Sequence, residues 1–492
     1  MSEPPTRAPT SPSTRLVVGP FNRVEGDLEV RLDIAAGAVR AAYVSSPLFR
    51  GFERILEGRD PRDALVIAPR ICGICSVSQS HAAALALADL QGLAPTRNGR
   101  IATNLLVATE NVADHLTHFH VFFMPDFARA AYADRTWFTE TERRFKAARG
   151  SSVARALATR TTLLHVMGLL AGRWPHTLAL QPGGVARSAD ARDQMRLLAT
   201  LAAVRAALEE HLFAGPLEEV AALASLADLE AFARGRDGDL SLFLTIADDL
   251  GLDRLGRADD RFLSYGAYPQ DEGRLYAAGT FAEGRAGAVE TAAITEDHSF
   301  ARMEGREAPH PPFEGSTFPD AADEIGYTWC KAPRLAGRTF ETGAFARQLV
   351  DGQPLARDLA AREGASVRAR VVGRLLEIAR TVLAMSSWVR QLEPAAPWCA
   401  QGTLPTSGRA FGLTEAARGA LGHWLVVENG RIARYQIIAP TTWNFSPRDA
   451  IGQPGPLERA LVGAPVRAGE ATPLSVQHIV RSFDPCMVCT VH

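Results

Sequence analysis

The chain has 492 residues, more than one simple core usually holds, which predicts one large composite unit or two to three lobes. Its net charge of -2 and sequence pI near 6.7 exclude the basic footprint of a nucleic-acid or membrane-surface binder. At 47% hydrophobic residues, with no apolar run approaching about 18 residues, it reads as globular with no membrane span.

Met1 to Thr14, rich in Pro, Ser and Thr, reads as a disordered lead-in without a secretory h-region, so the expected compartment is cytoplasmic unless a partner carries the chain elsewhere. Residues 15–492 are expected to form a single composite domain. Leu28, Val30, Leu32 and Ile34 alternate with polar residues, and Gly37 marks a turn before Val39 to Val44, which predicts a hairpin. The Ala/Leu-rich stretch Ser76 to Gln91 predicts a helix with a serine available as N-cap. Ile101 to Met124 predicts a buried helix carrying Asp114, His115 and His118. After Ser188, a candidate N-cap, Leu197, Leu201, Val204, Leu208 and Leu212 form one helical stripe. Asp249 to Pro319 is rich in Gly, Asp and Pro and reads as long loops with short strands. Val371, Leu375, Ile378, Val382, Met385, Val389 and Leu392 recur at spacings of four and three, which suits a central bundle helix. Asn429 and Gly430 between apolar runs signal a tight hairpin. The fold class is mainly α: a large central helical bundle with small peripheral β hairpins.

Six cysteines in so long a chain are too sparse for a disulfide scaffold. Cys330 and Cys399 each follow Trp in apolar context and read as buried, inert thiols. The other four form two Cys-x-x-Cys pairs, Cys72 with Cys75 and Cys486 with Cys489, one pair near each end. Chain ends normally fray, so soft ligands there need something to hold them; a metal shared between the two pairs would do so. On spacing alone a structural four-cysteine zinc site stays open. His115 and His118 read better as hydrogen-bonding core residues than as ligands.

Arg70-Ile-Cys-Gly-Ile-Cys75 with Asp484-Pro-Cys-Met-Val-Cys-Thr-Val-His492 resembles the two signature motifs of nickel–iron hydrogenase large subunits. The resemblance runs through Arg23-Val-Glu-Gly26, Phe49-Arg-Gly-Phe-Glu53, Gly58-Arg-Asp-Pro-Arg-Asp63 and Gln181-Pro-Gly-Gly-Val185. It continues in Lys331-Ala-Pro-Arg334, Arg418-Gly-Ala-Leu-Gly-His-Trp424 and Pro440-Thr-Thr-Trp-Asn444. It implies that Cys72, Cys75, Cys486 and Cys489 bind nickel, with Cys75 and Cys489 bridging to an iron that carries CO and cyanide. Gln79, Pro440 and Thr441 would surround that centre. Heterolytic cleavage of H2 needs a base beside the metal: a thiolate of Cys486 or Cys489, or the Arg418 guanidinium. Because arginine is normally protonated, the thiolate is favoured. Glu25 would relay the proton outward, and Asp114 and Asp484 would orient Arg418. Glu53, the Ile437 carbonyl and His492 would hold magnesium (or iron), pinning the chain end.

Asp27, Gln79 and Ala417 depart from the His, His and Pro common in energy-converting members. Ile74 and Phe122 stand where smaller Val and Leu usually line the gas channel. Ile74 and Phe122 together with Gln79, and the stop at His492, resemble the regulatory, H2-sensing branch with low turnover and oxygen tolerance. An energy-conserving uptake hydrogenase is the alternative, and a non-catalytic zinc relative a further one. The cysteines left over are too few for iron–sulfur clusters, so an iron–sulfur small subunit is implied as partner, and for a sensor also a histidine kinase.

Overall fold

A computed structural model describes residues 14–491. The lead-in assigned to 1–14 therefore lies outside the described residues except for Thr14, which opens a strand.

The Val367–Arg390 helix is the axis of the molecule. Ser366 caps it, accepting the Ala369 N–H at 3.0 Å. The stripe from Val371 to Val389 is buried all round because helices pack on several of its sides. Arg97–Thr117, Ala191–Ala207, Leu217–Ala221 and Ala344–Asp351 are among them. The Arg97–Thr117 helix is capped by Thr96 and passes without a break into a π-helical turn, His118–Phe123. Leu197, Leu201, Val204, Leu208 and Leu212 face this core, and each withdraws roughly 1.5–3 kcal/mol of apolar surface from water. Their helix is capped by Asp190, whose carboxylate accepts the Asp193 N–H at 2.8 Å, and not by Ser188.

Small antiparallel sheets surround the bundle. Thr14–Val18, Glu29–Ala35 and Ala38–Ser45 form one meander. Gly408–Ala416, Gly419–Glu428 and Arg431–Ile438 form another, which packs on the Ser76–Gln91 helix. Asn429 and Gly430 both take positive φ (51° and 72°), as a two-residue turn between twisted strands requires. The region 249–319 carries short strands between Arg261 and Asp297, in agreement with its composition.

Candidate metal centre

The Cys72 pair sits at the end of a 3-10 turn, Ala68–Ile71, directly before the Ser76–Gln91 helix. No serine caps that helix. Its first amides are taken by Glu110 of the Arg97–Thr117 helix: Val77 N–H and Ser78 N–H donate to its two carboxylate oxygens at 2.8 Å each. Glu110 lies four residues before Asp114, on the same helix face, and sequence reasoning missed it. Burial pushes its carboxyl up to about 7.

The final segment is held by the opposite end of the chain. Glu25 pairs with Cys486 as a parallel bridge: Glu25 N–H donates to the Pro485 carbonyl at 3.3 Å, and Met487 N–H to the Glu25 carbonyl at 2.7 Å. Arg50 donates to the Val488 carbonyl at 2.6 Å and also to the carbonyl of Ile71, so one guanidinium staples the two cysteine loops together. Thr441 Oγ1 accepts the Cys486 N–H at 3.3 Å, and Thr490 Oγ1 meets Ser46 Oγ at 2.9 Å. The described residues thus pin the chain end themselves; His492, expected to lock it, lies outside them.

These contacts bring the four sulfurs together inside an apolar cluster with Leu421, Tyr435, Ile437 and Ala439. All four Sγ atoms lie within 4.8 Å of one another, and all four residues are buried. Cys75 and Cys489 are 3.0 Å apart, as are Cys486 and Cys489; Cys72 and Cys486 are 3.5 Å apart. Hydrogen bonding from Cys486 and its neighbours holds the Cys72 thiol low, while burial pushes Cys486 and Cys489 up. Four soft donors converging out of water fit a thiophilic cation, nickel among them. Cys330 is buried as expected, whereas Cys399 is only partly so, with its thiol near the Pro182 carbonyl.

Arg418 lies at the turn joining Gly408–Ala416 to Gly419–Glu428. Its Nη1 donates to Asp114 Oδ2 and its Nη2 to Asp484 Oδ1, both at 3.2 Å; its Nε donates to the Asp484 carbonyl at 3.1 Å. Burial works against its charge, yet Asp484, Cys486 and Asp114 keep it firmly protonated. Asp484 Oδ2 is a buried acceptor that finds no hydrogen-bond partner among the described residues. Glu25 is half-buried, and burial with the nearby Cys72 charge raises its carboxyl above the usual range.

Gln79 was expected among the residues around the metal centre. Its side-chain oxygen accepts from His423 Nε2 at 2.8 Å, and the other His423 nitrogen meets Tyr435 OH at 2.8 Å. Burial keeps that imidazole neutral. Pro440 opens the short Pro440–Asn444 helix that delivers Thr441. Ile74 packs, partly buried, against the cysteine cluster; Phe122 is partly buried on the π turn, and its carbonyl accepts from Arg23 at 3.3 Å. His115 and His118 are core residues, bonded to Glu377 at 3.1 Å and to the Arg481 carbonyl at 2.6 Å.

Glu53 and Ile437 do meet, but through the Ile437 N–H, which donates to Glu53 Oε1 at 2.8 Å. The same carboxylate accepts from Lys331 at 3.2 Å and from Thr317, and Lys331 also pairs with Glu296 at 3.0 Å.

The sequence matches the family model described as nickel-dependent hydrogenase over residues 50–148 and 152–492. The large subunit of the periplasmic [NiFeSe] hydrogenase of Desulfomicrobium baculatum is 29% identical over 97% of this chain and 95% of that protein. The quinone-reactive Ni/Fe-hydrogenase large chain of Wolinella succinogenes is 27% identical over 97% and 96%. A structure of the H2-activated D. baculatum enzyme superposes with a TM-score of 0.85 at 28% identity, covering 98% of this chain and all of that one. These names favour the uptake alternative over the H2-sensing role, and a histidine kinase partner finds no support in them. With four cysteines from both ends converging as the motifs require, the chain belongs to the nickel-dependent hydrogenase large subunits.

Proposed function

We propose that this chain is the catalytic large subunit of an energy-conserving uptake hydrogenase, oxidising H2 at a nickel–iron centre held by Cys72, Cys75, Cys486 and Cys489. The observation that carries the reading is the four-sulfur cluster with a clamped, charged Arg418 beside it. When bound, that centre, with CO and cyanide on its iron, supplies the Lewis acidity that polarises and splits H2.

The chain's residues supply the rest. A thiolate of Cys486 or Cys489 accepts the proton, since Arg418 is held protonated and serves as a fixed positive charge. Asp114 and Asp484 keep that charge aimed by charge-assisted hydrogen bonds. Glu25, with its raised carboxyl and its backbone locked to Pro485 and Met487, takes the proton outward. Leu421, Ile437 and their neighbours keep bulk water off the sulfurs. Electrons leave through an iron–sulfur small subunit, because only Cys330 and Cys399 remain here. Magnesium (or iron) at Glu53, Ile437 and His492 draws on Glu53 and Glu296, two buried carboxyl groups with Lys331 between them and oxygen donors of the kind a hard cation takes.

The H2-sensing alternative keeps one observation of its own, the bulky Ile74 at the cysteine cluster with Phe122 on the π turn. The test is H2-driven reduction of a quinone analogue by the chain purified with its small subunit. Sustained turnover supports uptake. Slow H2 consumption that cannot drive a quinone supports sensing, and zinc in place of nickel removes both.

A further inference from the structure

The turn that carries Arg418 is gripped from behind. Arg347 is fully buried and spends all five of its N–H donors. Its Nε and Nη2 donate to the two oxygens of Glu377 at 2.9 and 2.7 Å, and its Nη1 to Glu415 at 2.6 Å. The remaining two donors go to the carbonyls of Ala416 at 2.8 Å and Ala417 at 3.1 Å, the two residues immediately before Arg418. The helix bearing Arg347 starts where the turn ends. Gly419, at φ 130°, lies so close to Thr342 and Gly343 that an added Cβ would fall 2.4 Å from the Thr342 hydroxyl.

The partner of Arg347 reaches the partners of Arg418 as well. Glu377 accepts from His115, the residue after Asp114, at 3.1 Å. One turn earlier on the same helix, Arg374 donates to the carbonyl of Ser482, two residues before Asp484, at 2.7 Å. Arg418, Asp114 and Asp484 are therefore all registered to the Val367–Arg390 axis.

We propose that Arg347, braced by Glu377, is a positioning residue for H2 cleavage: it fixes the main chain at Ala416 and Ala417 so that Arg418 projects at the metal site. A lysine at 347 would keep the charge but cannot serve two carboxylates and two carbonyls at once. The inference rests on the reading of Arg418 as part of the active site.

The test uses the holoenzyme with Arg347→Lys, Arg418→Lys and the double variant, with Glu377→Gln as a gentler second probe that keeps Arg347 and its packing. Misplacing a catalytic group by about 1 Å costs on the order of 10²-fold, so Arg347→Lys should lower H2 oxidation by about that factor while nickel content stays at the wild-type level. Amide hydrogen exchange at residues 416–419 should speed up in both Arg347→Lys and Glu377→Gln. In the Arg418→Lys background, adding Arg347→Lys should cost less than about threefold, because the group it positions is already gone. Equal fold losses in the two backgrounds, or unchanged exchange at 416–419 in Glu377→Gln, would overturn the proposal. Should Arg418→Lys alone leave H2 oxidation intact, the active-site reading of Arg418 fails instead, and the exchange result still judges the positioning claim.

Discussion

Asp126→Asn probes how the Glu25 segment is held against the C-terminal cysteines. Asp126 is fully buried and faces four cationic or protonatable groups. Arg481 Nη1 lies at 2.6 Å, Arg129 Nη2 at 2.8 Å and His478 Nδ1 at 3.5 Å, and Arg23 is also in contact. Arg481 in turn donates to the carbonyl and side chain of Asn22 at 3.0 and 2.8 Å, three residues before Glu25. In the variant, Arg23 and Arg129 can turn toward solvent, since their side chains are 17% and 30% exposed, whereas Arg481 at 1% cannot. One stranded guanidinium costs about 3–5 kcal/mol, which is about 10²–10⁴-fold in a local opening equilibrium. The assay is amide hydrogen exchange at Glu25 and Met487, whose N–H groups close the bridge between the segments. Their protection should fall by that factor. Protection within about threefold of wild type would refute the reasoning. Burial opposes the Asp126 charge, but His478, Arg481 and Arg23 hold its carboxyl well below the usual range. Its stabilisation is therefore present above about pH 3.9 and lost on acidification below that value, so the gap between variant and wild type should persist at every pH from 5 upward.

Burial pushes Glu110, Glu415 and Glu458 each up to about 7, so the folded state keeps protons that the unfolded chain gives up near pH 4.5. Stability should fall as pH rises from 5 through 7, and Glu110→Gln should flatten part of that slope in thermal unfolding curves measured at several pH values. Ile74→Val opens space beside the cysteine cluster, and with Phe122→Leu added O2 should inactivate H2 oxidation faster than in the wild type; equal inactivation rates in an oxygen-challenge assay would count against any gating there. Gln79→Ala strands His423 Nε2 in the core at a cost of about 1–3 kcal/mol, readable as a lower unfolding midpoint; a variant as stable as wild type would show that this bond is dispensable.

The bundle and its axis were legible because the Val371 to Val389 spacing is regular and buried, and Asn429 with Gly430 marked their turn through positive φ. The metal centre was legible because its ligands are a rare residue type at a chemical spacing. What stayed hidden are residues whose partners are distant in the chain. Glu110 caps a helix that is not its own, so local signals pointed to a serine instead. Arg347, Glu377 and Asp126 carry no motif; each matters because the fold brings it charged or protonatable partners from two or more distant segments. Gln79 was identified as unusual, but only the position of strand Gly419–Glu428 reveals its hydrogen bond with His423.

An infrared spectrum of the purified complex, taken with its metal analysis, tests the central claim most directly. The four converging cysteine sulfurs and Arg418 predict bands from iron-bound CO and cyanide, with nickel present in stoichiometric amount. A spectrum without such bands, from protein carrying zinc on Cys72, Cys75, Cys486 and Cys489, would contradict it.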